Sequence, residues 1–239
     1  MRKILALTGA DRVDFLQGLV TNDVSKGGIV YTALLTPQGK FIADFFVISQ
    51  ADQLLIDVAE SHAAMLFQKL SMYRLRADVQ IAEADLIISR GTRDAPADAY
   101  ADPRHPALGW RAYGDTDLSD DTDWDALRVA QLVPETGIEL TPETYILEAN
   151  FEALHGVDFR KGCFVGQEIV ARMKHKTALR KGLCRVAIDG DAQAGDDITA
   201  DGKPVGVLHT RAGDKALAYL RFDRADGAMH AGDASLKKI

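Results

Sequence analysis

Cysteine is scarce in this chain of 239 residues: there are two, Cys163 and Cys184, and they form no CxxC pair. That argues against a disulfide framework and against a zinc site, whose ligands come in close pairs. It fits a reducing, cytoplasmic setting. Long apolar runs are also missing. No stretch approaches the ~20 residues that cross a bilayer, and the basic start Met1-Arg2-Lys3 leads into too short an apolar segment for a signal peptide. Basic charge is in deficit, with 28 Lys and Arg against 35 Asp and Glu for a net charge of −7. A chain so acidic lacks the broad basic surface that displaces counterions from nucleic acid, so no direct nucleic-acid partner is expected. There is no internal repeat and no low-complexity tract. What remains is ordinary globular composition, 47% hydrophobic and 26% charged, in a chain long enough for one large or two modest cores.

The pattern predicts an α+β body. Residues 3–8 form a strand, and Asp11 caps a helix carrying Val13, Phe15, Leu16 and Leu19. Strands at Ile29–Leu35 and Lys40–Ile48 flank Thr36-Pro37-Gln38-Gly39, where Pro presets one turn angle and Gly accepts the other. A strand at Leu54–Val58 leads to a helix capped near Ser61, with Leu66, Leu70 and Tyr73 a turn apart. Strands follow at Val79–Ala82 and Leu86–Ser89. Hairpin connections favour α+β over a doubly wound parallel sheet. Residues 91–125, proline-bearing and rich in aspartate, form a solvated loop with one strand near Leu108–Tyr113 or, alternatively, an acidic docking surface. Asp125–Val133 is a helix stopped before Pro134. After Gly182, Cys184, Val186 and Ile188 alternate with Arg185 and Ala187, and turn pairs recur. This predicts a small C-terminal β-barrel over 181–239, after a first domain of residues 1–180.

Four places carry side chains suited to chemistry. Cys163 lies in the glycine-flanked run Lys161-Gly162-Cys163-Phe164-Val165-Gly166, which enters a helix carrying Gln167, Glu168 and Arg172. A helix start and a lysine two residues away both favour a thiolate, although most free cysteines act as small buried hydrophobes. Asp44 shares a strand face with Ile42, Phe46 and Ile48, where a carboxylate needs a partner. It is either near a half-exposed edge or a ligand-binding acid with a perturbed environment. Asn22 and Asp23 form a turn and are turn formers or ligands. Arg74 and Arg76 close a helix, either as favourable cations there or as a fork for an anionic ligand tail.

Lys161-Gly162-Cys163-Phe164-Val165-Gly166-Gln167-Glu168, followed by Ala171-Arg172, resembles the KGC[FY]xGQExxAR signature of the YgfZ-type proteins. Phe15–Asp23, Leu34–Lys40 and Tyr73–Arg76 are similar to the same family, so the resemblance runs from about residue 5 to about 185. It implies the fold of the glycine cleavage T-protein, an aminomethyltransferase-like folate-binding body joined to a C-terminal β-barrel. It implies tetrahydrofolate or a related folate as ligand. Asp44, Asn22, Asp23, Arg74, Arg76, Lys161, Gln167, Glu168 and Arg172 are the expected binding residues, and Cys163 the thiol. It implies a role in assembling or maintaining iron–sulfur enzymes, including tRNA-modifying ones, with client or assembly proteins as partners. The aminomethyltransferases follow an arginine like Arg128 with a pterin-holding glutamate. Here that position is Ala130, which sets the chain apart from those enzymes. The alternative is a folate-dependent one-carbon transferase centred on Asp44; a third option is a folate-free interaction protein on the same scaffold.

Overall fold

The computed structural model describes every residue except Lys176, Thr177 and Asp226. The chain divides into two compact units, residues 1–122 with 151–171 and residues 123–150 with 172–239. In the first unit the elements run β1 (Arg2–Thr8), α1 (Arg12–Gln17), β2 (Ile29–Leu35), β3 (Phe41–Ser49), β4 (Leu54–Ala59), α2 (Glu60–Tyr73), β5 (Gln80–Ala84), β6 (Ile87–Gly91), β7 (Tyr100–Ala101) and β8 (Trp110–Gly114). Five strands form an antiparallel sheet in the order β2-β3-β4-β1-β5, and β6-β8-β7 form a second, three-stranded sheet.

One face of the large sheet packs against the helices. Leu5, Leu7, Phe45, Val47 and Ile56 meet Leu16, Leu66 and Leu70 in one buried cluster. Truncating any one of these leucines to alanine costs ~2–5 kcal/mol. Both faces of β3 are buried. The second face carries Tyr31, Asp44, Phe46 and Asp57, so charge lies inside the protein there. Ile42 does not share Asp44's face as expected. It packs with Ala43, Phe45 and Val47, because the β2–β3 register slips between Leu34 and Leu35.

The Thr36–Gly39 turn forms as its residues dictate, with Gly39 donating to the Thr36 carbonyl at 2.8 Å. Two expected caps do not form. Asp11 makes no capping bond and instead accepts from the Asp78 amide at 2.8 Å. The second helix starts at Glu60, leaving the Ser61 hydroxyl on the His62 ring. The aspartate-rich stretch is turn chemistry: Asp120 accepts from the amides of Thr92 and Thr122, and Asp117 from that of Ser119.

The second unit holds α3 (Trp124–Gln131), capped by Asp123, and the whole of a closed six-stranded barrel. α4 (Gln167–Lys174) begins in the first unit. The barrel strands are β9 (Lys181–Asp189), β10 (Asp197–Ala200), β11 (Lys203–Ala212), β12 (Lys215–Arg221), β13 (Met229–Ala231) and β14 (Ala234–Lys238), ordered β10-β11-β12-β9-β14-β13. Cys184, Val186 and Ile188 point into its core, as the alternation predicts. Packing extends this unit beyond the expected cut at residue 180. Arg128 on α3 donates to Thr210 at 3.0 Å, Arg185 to the Ala130 carbonyl, and Tyr219 to Glu148 at 2.6 Å. Among the described residues no helix is long and apolar enough to cross a membrane.

Candidate functional site

The second face of the large sheet is built around Phe46. Three guanidinium groups stand over its ring, Arg111 at 4.1 Å, Arg104 at 4.8 Å and Arg2 at 5.4 Å from the centroid. Three cations on one ring are tolerable because each has a carboxylate. Arg111 donates to Asp57 at 2.5 Å, Tyr113 to the same oxygen at 3.0 Å, and Arg2 to the other oxygen. Arg104 forks onto Asp102 through two bonds of 2.9 and 2.7 Å. Burial alone would raise the Asp57 carboxyl, yet the charges of Arg2 and Arg111 overcome it and take the group down to about 2. The sequence pattern alone does not single out Asp57, Asp102, Arg104 or Arg111. A carboxylate inside the apolar strand Leu54-Leu55-Ile56-Asp57-Val58 is the signal that points to it, by the same reasoning that singled out Asp44.

This network fixes Tyr31. Its ring lies 5.1 Å from Phe151 and 5.3 Å from Phe46, with Arg104 over it at 5.4 Å. Its hydroxyl donates to Asp44 at 3.0 Å. Burial and the charge of Asp44 push the Tyr31 hydroxyl well above its usual range, so it stays a donor. Asp44, 5% exposed, therefore sits behind Tyr31 with its partner supplied. In front of Tyr31 is a hollow of about 530 Å³, lined also by Asn22, Lys26, Val30, Pro103, Glu152, His155, Asp158 and Arg160. That volume falls in the range of ~300–1,000 Å³ typical of small-molecule sites.

Asn22 lines the hollow, but its amide is already committed, donating to the carbonyls of Tyr31 at 2.9 Å and His155 at 2.6 Å. Asp23 turns away to cap Val24–Lys26, accepting from Ser25 and Gln17. The hydroxyl of Ser25, ahead of opposing burial, holds its carboxyl below the usual range. Arg74 and Arg76 are exposed at the end of α2, where Arg74 donates to the Val79 carbonyl at 3.3 Å. Neither lines the hollow.

The loop that follows Arg160 presents the thiol. Cys163 is exposed, not packed as a small hydrophobe. On one side Lys161 is buried to 9% exposure and donates to the carbonyls of Gln17 and Val20 at 2.6 and 2.5 Å. Burial lowers this ammonium to about 8, against the raising charges of Asp23 and Asp158. The lysine was expected to favour a thiolate at Cys163; it instead anchors the loop to the end of α1. On the other side Phe164 is buried, and Gly166 adopts a φ of +83° against the hairpin turn. A Cβ on Gly166 would stand 2.6 Å from the Thr36 carbonyl oxygen. Two family-like segments, residues 34–40 and 161–172, thus meet backbone to backbone through their glycines. The side chains of Glu168 and Arg172 are exposed and that of Gln167 half-buried. Arg128 pairs with Glu139 at 3.1 Å, Glu135 at 2.9 Å and Asp125 at 3.1 Å.

Comparison with known proteins matches residues 180–238 to the family of the CAF17 C-terminal β-barrel domain. The iron–sulfur cluster assembly factor IBA57 homologue of Neurospora crassa, mitochondrial by name, is 30% identical over 84% of this chain and 55% of its own length. The human mitochondrial iron–sulfur cluster assembly factor IBA57 is 28% identical over 96% of this chain and 78% of its own. The chain thus spans about half of the fungal relative. Among solved structures, the glycine cleavage system aminomethyltransferase T of Bartonella henselae superposes with a TM-score of 0.80 at 14% identity, covering 100% of this chain and 82% of that one. That likeness establishes the T-protein fold.

Proposed function

This chain belongs to the YgfZ/IBA57-type family, and from that premise we propose that it is an accessory factor for the assembly or maintenance of iron–sulfur enzymes, tRNA-modifying ones among them, with tetrahydrofolate as ligand and Cys163 as its working thiol. The observation that carries the reading is the exposure of Cys163 on a short span held by buried Lys161 and Phe164. Such a span gives a sulfur defined geometry toward a client protein without enclosing it. The folate part is supported by the T-protein fold and by the hollow beside Tyr31. There the tyrosine offers an aromatic wall, and Asp44 orients it through the hydroxyl. The folate supplies a flat ring and a carboxylate tail; Lys26 and Arg160 at the hollow are the cations nearest in kind to that tail.

Asp44, the buried acid on which the one-carbon transferase alternative centres, favours a second reading, a folate-dependent aminomethyltransferase. Ala130 weighs against it, since a lost charged hydrogen bond to the pterin costs ~1–3 kcal/mol. The test is complementation. Cys163→Ser, in cells lacking their own factor, should leave iron–sulfur enzyme activity near the level of the empty vector; activity equal to wild type would sink the thiol role. In parallel, calorimetry with tetrahydrofolate should give heat with wild type and weaker binding with Asp44→Asn. Release of ammonia from an aminomethyl-lipoyl donor should be absent.

A further inference from the structure

The second unit contains a hollow of its own, about 730 Å³. Its setting is electrically unusual for this chain. Residues 172–181 carry five lysines and arginines and no acid, within a protein of net charge −7. Three of its lining side chains are cations, Arg180, Lys181 and Arg221, beside the apolar walls of Met173 and Leu179. Arg180 has no side-chain partner among the described residues. Among the described residues Arg221 pairs with the exposed Asp223, at 3.4 Å, a pairing of a kind worth little in water.

At this hollow also lies Glu148, 8% exposed. Its Oε2 accepts the Tyr219 hydroxyl at 2.6 Å and lies 3.8 Å from the Lys181 ammonium. Its Oε1 has no partner among the described residues. That oxygen is not sealed from solvent, and Glu148 lines the hollow, so Oε1 is free to accept from a ligand there. The Tyr219 hydroxyl is pushed far above its usual range, first by burial and then by its bond to Glu148, so it remains the donor and cannot free Oε2. One hydrogen-bond acceptor and three cations lining the same hollow suit a ligand of matching polarity, with an N–H group flanked by anionic groups.

We propose that this hollow is a binding site for a small amino-polycarboxylate, such as an acidic oligopeptide. Its N–H is accepted by Glu148 and its carboxylates are held by Arg180, Lys181 and Arg221. The proposal stands independently of the reading of Cys163. The full chain would be titrated calorimetrically with triglutamate, and with tricarballylate as a polycarboxylate without an N–H. Triglutamate should bind, with an affinity that falls as salt rises, and tricarballylate should bind at least about tenfold more weakly. Arg180→Ala with Arg221→Ala, both exposed and so harmless to folding, should weaken triglutamate by about tenfold or more. Glu148→Gln should erase the preference for triglutamate over tricarballylate. No heat from triglutamate at ~1 mM, equal affinity of the double variant and wild type, or binding of single-stranded RNA in place of either probe would each overturn the proposal.

Discussion

Arg111→Met is the substitution whose effect the structure defines most sharply. Methionine replaces the stem of the arginine but not its fork, so the change removes charge from a site 2% exposed while keeping much of the volume. Asp57, fully buried, then keeps Arg2 and Tyr113 among the described residues. Breaking one side of a buried pair costs ~3–5 kcal/mol, and at ~2–4 °C per kcal/mol for a chain of this size the melting temperature should fall by about 6–20 °C. The pH dependence separates charge from packing. In the wild type the Asp57 carboxyl is lowered from the ordinary 3.8 to about 2. At about 1.4 kcal/mol per pH unit this contributes ~2–3 kcal/mol, fully present above pH 3.8 and lost as pH falls toward 2. In Arg111→Met the carboxyl rises, because Arg2 alone is left to oppose burial, and a large part of that contribution is lost. The gap between variant and wild type, measured by urea unfolding from pH 7 to pH 3, should therefore be widest at neutrality and narrow on acidification. A gap that stays constant across that range would refute the electrostatic account and leave only a packing defect.

Gly166→Ala forces a side chain into a φ of +83° and within 2.6 Å of the Thr36 oxygen, so it should lower stability by ~1–3 kcal/mol in thermal melts and change the rate of Cys163 alkylation by iodoacetamide. An unchanged alkylation rate would show that this glycine does not position the thiol. Tyr31→Phe removes the hydroxyl given to Asp44 at 3.0 Å. It should cost ~1–3 kcal/mol in urea unfolding and weaken tetrahydrofolate in calorimetry by a similar factor to Asp44→Asn, since both act through one hydrogen bond.

Local signals carried the fold far. The hairpin turn at Thr36–Gly39 was legible because proline and glycine each have one conformational reason to be there. The barrel was legible because Cys184, Val186 and Ile188 alternate with more exposed neighbours. Asp44 stood out because a carboxylate on an apolar strand demands a partner. The partner itself, Tyr31, was not marked, since strand register decides which hydroxyl arrives, and here the register contains a slip. The arginine network lay further out of reach. Arg111 and Asp57 are separated by 54 residues, and the strand that carries Arg111 sits in a stretch whose prolines and aspartates describe a solvated loop.

The loop around Cys163 shows why proximity along the chain misleads about function. Lys161 lies two residues from the sulfur, and charge at that spacing suggests activation of the thiol. Yet a lysine stem is long and its ammonium seeks acceptors. The carbonyls of Gln17 and Val20 at the end of α1 supply two of them within a buried niche. Had the ammonium turned outward to the thiol, those carbonyls would lose their donor and the loop its anchor. The cation thus acts on Cys163 mechanically. It holds one end of the span while Phe164 and Gly166 hold the other, and exposure of the sulfur follows from the burial of its neighbours.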